Sequence, residues 1–261
     1  MHATPRALLL DLQGVLVDNG VALDGAVDTV TEARRRGVPI RLLTNTATRH
    51  HEQLLQELRT LGFALEPEEL FTAPLAALSW LQRHQLRPLA LVHPAIAPLF
   101  SALVADQGGN ESDSSANCVL LGDARDQLSY ANLNRALELL LEGAPLIGIG
   151  RNRRFREGGH WMLDAGAFLQ ALEYGADCEA TVLGKPSAAF FAEVVQSLEL
   201  PAASCLMVGD DVEADVQGAI DAGLQAALVQ TGKYRPGDET RLPHQAAVLR
   251  DVRAVAALLG W

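Results

Sequence analysis

Short apolar runs recur along the chain at 7–10, 40–43, 89–92, 119–121, 181–183, 206–208 and 226–229. Most are bounded by polar, glycine or proline positions, and all are of strand length. Between them lie stretches in which apolar residues return every three or four positions, at 27–36, 51–61, 133–141, 188–198 and 214–222. That is the spacing of an amphipathic helix with one face toward a core. Alternation of the two predicts an α/β fold with a mainly parallel sheet, because parallel strands need a crossover and a helix supplies it. The stretch 107–117, QGGNESDSSAN, breaks the pattern. It is polar and almost free of apolar residues, which predicts a surface loop.

The residues that end the apolar runs are not random. The first run ends in Asp11-Leu12-Gln13-Gly14 and the second in Thr44-Asn45-Thr46. A later one ends in Gly209-Asp210-Asp211, with Asp215 further on. Polar groups at the carboxyl ends of parallel strands converge on one crevice, where open α/β sheets bind ligands. Carboxylates gathered there need a cation, and Asp11 and Asp210 suit Mg²⁺, which takes one or two carboxylates together with water and phosphate oxygens. Gly184-Lys185-Pro186 follows another apolar run. A lysine ammonium is a compact charge suited to phosphate.

Charge sharpens that point. The formal net charge is −11, which disfavours nucleic acid and anionic membrane as partners. An anionic substrate then needs a local positive patch. Of 21 Lys and Arg residues only Lys185 and Lys233 are lysines, so a lysine at a strand end stands out from a surface otherwise built with arginine. The cysteines, Cys118, Cys178 and Cys205, are odd in number and form no paired motif. They read as reduced thiols of a cytoplasmic protein, not disulfides or a zinc site. The apolar N-terminal stretch is cut short by Asp11, against a signal peptide, and no run reaches the length of a membrane span.

The order DxxG, TN after a strand, GKP and GDDxxxD, over positions 11 to 215, resembles the four motifs of haloacid dehalogenase-type phosphatases. The long stretch between Asn45 and Lys185 resembles the subfamily with a large α/β cap inserted after the second motif. MLDAGAFLQALEY, VLGKPSAAFF and TGKYRPGDE look closest to a branch that acts on phospholysine, phosphohistidine and pyrophosphate. The resemblance implies a Rossmann-like parallel-sheet core over 1–77 and 180–261 and an α/β cap over 78–179. It implies that Asp11 attacks phosphorus, forming an aspartyl-phosphate, and that the backbone carbonyl of Gln13 joins Asp11 and Asp210 as a Mg²⁺ ligand. Thr44, Asn45 and Lys185 then hold the phosphoryl group, Lys185 also steadies the nucleophile, and Asp211 and Asp215 support the metal or Lys185. The implied partner is a small phosphorylated molecule, a phosphoamino acid or pyrophosphate, and the resemblance allows a homodimer formed through the cap.

The sequence departs from the family at Gln13. Most members carry an aspartate there that protonates the leaving group and later activates water, and the lysine/histidine/pyrophosphate branch has a serine. An amide is no proton source, and general acid–base help is worth roughly 10²–10⁴-fold. The expected substrates have leaving groups that need little help: anhydrides, or phosphoramidates already protonated on nitrogen. The alternative is a catalytically weakened phosphate-binding protein of the same fold. A dehalogenase would not need the acidic pair, and a phosphonatase would use a cap lysine that this sequence lacks.

Two other clusters are weaker. Arg151, Arg153, Arg154 and Arg156 precede Gly158-Gly159-His160; they read as a solvated turn of the cap before they read as a loop closing on an anion. His50 and His51 follow the second motif without metal-ligand spacing and read as helix-surface residues. Gly148-Ile149-Gly150 lacks the third glycine of a dinucleotide fingerprint.

Overall fold

The computed structural model describes residues 4–104 and 116–261. Most of the predicted loop at 107–117 lies outside the described residues. The chain divides into two compact units, one of Met1–Thr44, His51–Phe71 and Lys185–Trp261, the other of Asn45–His50 and Thr72–Gly184.

The first unit is built on a six-stranded sheet in the order Ala247–Leu249, Gln225–Val229, Cys205–Gly209, Ala7–Asp11, Ile40–Thr44, Leu70–Thr72. The first five run parallel. Ala7–Asp11 is buried at every residue because helices cover both faces of a parallel sheet, which is why its sequence is a continuous apolar run. From this strand the chain first adds neighbours on one side, then returns and adds Cys205–Gly209 and its successors on the other. The strand order therefore reverses between Ala7–Asp11 and Cys205–Gly209, and a crevice opens at the carboxyl ends there. Leu8, Leu10, Leu42, Leu206, Val208 and Ala227 join Val30, Leu54, Leu55 and Leu58 of the helices Ala26–Arg35 and His51–Thr60 in one core.

The second unit has its own parallel sheet, in the order Thr181–Val182, Leu146–Gly148, Cys118–Leu121, Pro88–Leu91. Its core packs Val119, Leu121 and Leu146 against Ala136 and Leu140 of the helix Tyr130–Leu141 and Leu169 and Leu172 of Ala165–Ala176. Ser129 caps the first of these helices and Asp164 the second. Thr72 caps a further helix, Ala73–Arg83, by accepting from Leu75 N at 3.3 Å.

Two local expectations change. The arginine-rich stretch is not a turn but an antiparallel hairpin, Arg154–Glu157 with His160–Leu163, in which Arg156 pairs with Trp161. The helix expected over 214–222 is two pieces: a π-helical segment Val212–Gln217 and a short α-helix Gly218–Asp221. Val216 N donates to Asp211 O, five residues back, at 3.2 Å. This wider turn is set by Asp211, whose side chain caps the segment by accepting from Glu213 N and Ala214 N at 3.0 Å each. All three cysteines are free thiols, Cys118 and Cys205 buried, and burial pushes the Cys118 thiol up to about 12.

Candidate functional site

Register brings the strand-end residues together. Asp11 pairs with Leu43, and Leu10 pairs with Val208. Asp11, Thr44 and the Gly209-Asp210 step therefore leave the sheet at one end of three neighbouring strands. After Asp11 the chain makes a tight turn in which Leu16 N and Val17 N return to Leu12 O and Gly14 N donates to Val17 O at 2.8 Å.

Lys185 is buried between two carboxylates. Its Nζ donates to Asp11 Oδ1 and, at 2.7 Å, to Asp215 Oδ1. The other oxygen of Asp215 accepts Asp210 N at 3.2 Å and Asp211 N at 3.1 Å. Asp215 is thus fully engaged: one oxygen orients Lys185, the other ties down the backbone that carries Asp210. Asp210 Oδ2 accepts Lys233 N at 2.7 Å. Its Oδ1 is buried and has no hydrogen-bond partner among the described residues. Lys233 Nζ pairs with Asp211 Oδ2 at 3.3 Å.

The charges follow from this packing. Burial pushes the Asp11 carboxyl from 3.8 up to about 7; Lys185 opposes the rise, and Asp215 and Asp210 add to it. Asp210 is raised as well, chiefly by burial. Burial acts to raise Asp211 too, but the Ala214 N–H and Lys233 outweigh it and hold this carboxyl below its ordinary value. Burial alone would lower Lys185; Asp215 and Asp11 overcome it and keep the ammonium charged. Within this cluster Asp11, Asp210, Asp211 and Asp215 are paired with two ammoniums, those of Lys185 and Lys233. With every carboxylate ionised, an excess of two negative charges remains.

That excess, and the unpaired buried Asp210 Oδ1, suit a hard divalent cation. Asp11, Asp210 and Asp215 each offer an oxygen within 4.8 Å of the others. Since both Asp215 oxygens already accept hydrogen bonds, Asp11 and Asp210 are the pair with capacity for a metal. An unpaired carboxylate oxygen in a buried site is costly, and a Mg²⁺ ion accepts such oxygens.

Among the residues singled out in the sequence, Asp11, Thr44, Lys185, Asp210, Asp211 and Asp215 all lie in the first unit, and Thr44 is buried at the end of its strand. Gln13 is exposed in the turn after Asp11. Asn45 falls in the second unit, where it lines a cavity of about 240 Å³ together with Asp123, Arg125, Asn152 and Asp164. In that cavity Arg125 Nε pairs with Asp123 Oδ2 at 3.1 Å and the guanidinium lies over the Phe155 ring. The arginines of the hairpin are engaged locally: Arg154 and Arg156 sit 4.9 and 5.1 Å from the Trp161 ring centre. His51 opens the helix His51–Thr60, and neither it nor His50 joins a metal-capable group among the described residues.

Two contributors escaped the sequence reading. Lys233 is the only lysine besides Lys185, and that scarcity was the signal available for it. Asp123 follows the buried strand Cys118–Leu121 by one glycine, the same strand-end position that marks Asp210. Strand ends of the second sheet carried the same information as those of the first.

Comparison with known proteins bears on the family and the fold. Residues 8–103 match the family model described as haloacid dehalogenase-like hydrolase, and residues 182–255 match a HAD-hydrolase-like model. A phospholysine phosphohistidine inorganic pyrophosphate phosphatase of Xenopus laevis is 39% identical over 241 residues, covering 90% of this chain and 86% of the relative. Haloacid dehalogenase-like hydrolase domain-containing protein 2 of Homo sapiens is 39% identical over 237 residues, covering 91% of this chain and 88% of its own. A p-nitrophenyl phosphatase from Archaeoglobus fulgidus shares the fold, with a TM-score of 0.84 at 20% identity over 98% of this chain and 99% of that one.

Proposed function

The chain belongs to the haloacid dehalogenase-like hydrolases, and we propose that within this family it is a Mg²⁺-dependent phosphohydrolase with Asp11 as its nucleophile. The observation that supports this most is the arrangement at the sheet switch point: a buried Asp11 held by Lys185, beside an Asp210 oxygen that nothing among the described residues satisfies. Asp11 and Asp210, with the Gln13 carbonyl, would hold the Mg²⁺. When bound, that ion supplies charge neutralisation for the carboxylates and the phosphoryl oxygens, the main requirement of phosphoryl transfer.

In this reading the Asp11 carboxylate forms a bond to phosphorus as the leaving group departs with the electron pair of its own bond to phosphorus. Lys185 orients the nucleophile by fixing one carboxylate oxygen and balances charge on the transferred group. Thr44 and Asn45 bind phosphoryl oxygens. Water then cleaves the aspartyl-phosphate, returning Asp11 and releasing phosphate. Because Gln13 stands where an acid/base would, the substrates are those with good leaving groups: anhydrides, acyl phosphates or phosphoramidates. The Xenopus laevis relative is named as a phosphatase of phospholysine, phosphohistidine and inorganic pyrophosphate, which is this same class.

The test is phosphate release from acetyl phosphate and pyrophosphate, with and without Mg²⁺, by wild type and Asp11→Asn. The expected result is Mg²⁺-dependent release by the wild type and none above background for a folded Asp11→Asn. Equal release by both would remove Asp11 as nucleophile. No release by either, with phosphate still bound, would leave a phosphate-binding protein.

A further inference from the structure

The loop after the strand Gln225–Val229 reaches across the crevice to the turn after Asp11. Thr231 Oγ1 donates to Gly14 O at 2.5 Å, and Lys233 N donates to Asp210 Oδ2 at 2.7 Å. Between these two anchors Gly232 has φ 61°, and Gly14, facing it, has φ 79°. Both values lie in the left-handed region that glycine adopts without strain. The close approach demands glycine as well: a Cβ at either position would collide with Asp210 Oδ2. Asp210 Oδ2 is therefore enclosed by two glycine backbones and one N–H donor. Asp210 Oδ1, on the same carboxylate, is buried with no hydrogen-bond partner among the described residues.

We propose that Thr231, Gly232 and Lys233 form a strap that presents Asp210 as a one-oxygen ligand and thereby makes the site select Mg²⁺ over Ca²⁺. The inference rests on the reading of Asp210 as a metal ligand. Ca²⁺ takes six to eight oxygens at longer distances and often both oxygens of one carboxylate, whereas Mg²⁺ demands near-octahedral geometry. A carboxylate with one oxygen already enclosed can satisfy the second ion more readily than the first. Thr231 is a positioning residue in this scheme. Its hydrogen bond to Gly14 O holds the loop down, and the loop in turn holds Oδ2. Released, Asp210 could turn and offer both oxygens.

Calorimetric titration of the metal-free protein with MgCl₂ and with CaCl₂ tests this without reference to turnover. The variants are Thr231→Val, Thr231→Ala and Thr231→Ser, each checked by thermal unfolding. The wild type is expected to bind Mg²⁺ more tightly than Ca²⁺. Thr231→Val and Thr231→Ala should weaken Mg²⁺ binding by roughly 10-fold, the scale of groups that orient metal ligands. Ca²⁺ binding should change less, so the preference narrows, and Thr231→Ser should restore it because the hydroxyl returns. An unchanged Mg²⁺-to-Ca²⁺ ratio in folded Thr231→Val and Thr231→Ala would overturn the strap while leaving the metal site standing. A wild type that binds neither ion would overturn the reading of Asp210 as a ligand, and the strap with it.

Discussion

Gln13 sits exposed in the turn that follows Asp11, two residues on. Its amide can hydrogen-bond a leaving group but cannot protonate it. An alkyl phosphate expels an alkoxide, a strong base, and suffers most from that lack, whereas an acyl phosphate or anhydride expels a stable carboxylate or phosphate anion. The expected outcome is a steep dependence of single-turnover rate on leaving-group pKa in the wild type. Gln13→Asp should flatten the dependence and raise alkyl monoester hydrolysis by up to roughly 10²-fold. Burst kinetics are the appropriate measurement, because in the proposed mechanism water attack on aspartyl-phosphate also lacks a base and can mask the first step. A wild-type rate indifferent to leaving-group pKa would mean that Gln13 does not limit the chemistry.

At the scale of elements, the π-helical segment Val212–Gln217 decides where Asp215 points. With Asp211 capping the segment and Val216 N reaching back five residues, the Asp215 carboxylate returns to the end of the preceding strand. Such segments recur at functional sites because they re-aim a side chain without ending the helix. Asp215→Asn keeps the shape but sets an amide donor among groups that are themselves donors: Lys185 Nζ, Asp210 N and Asp211 N. Breaking one side of a buried ion pair costs about 3–5 kcal/mol. With Asp11 still holding Lys185, the loss should fall near the lower end. Urea unfolding should show a lower midpoint at an unchanged slope. A midpoint within error of the wild type would show that the Lys185–Asp215 pair is not needed for the fold.

For the whole molecule, the acidic cluster links stability to pH. In the metal-free folded chain Asp11 holds its proton up to about pH 7, against 3.8 as the ordinary value. Between those values the folded state keeps a proton that the unfolded state has released. Stability contributed by Asp11 is therefore present at low pH and is lost as pH rises toward about 7. In thermal unfolding of chelator-treated protein from about pH 5 to about pH 8, the wild type should lose stability relative to Asp11→Asn as pH rises. Above that window the difference should level off. Parallel profiles for the two proteins would mean that Asp11 ionises in the fold as it does in the open chain.

The sequence by itself determined the α/β alternation, marked Asp11, Lys185 and Asp210 as candidates, and carried the likeness to a family. Those features are local: runs of apolar residues, the residue that ends each run, and short motifs in order. The hairpin Arg154–Glu157/His160–Leu163 was also local, signalled by its two-glycine turn, but basic composition masked it. The strand Leu146–Gly148 was harder to see, because a fully buried element loses the contrast between faces that periodicity needs, and the helix Ala165–Ala176 because exposed apolar residues such as Tyr174 blur its pattern. Tertiary structure alone decided that Asp215 spends both oxygens on Lys185 and on backbone N–H groups, leaving Asp210 Oδ1 unsatisfied. It alone brought Gly232 against Gly14, residues far apart in the chain that meet at one carboxylate oxygen. Strand register and the crossing of a distant loop fix those relations, and neither leaves a periodic trace in the order of the amino acids.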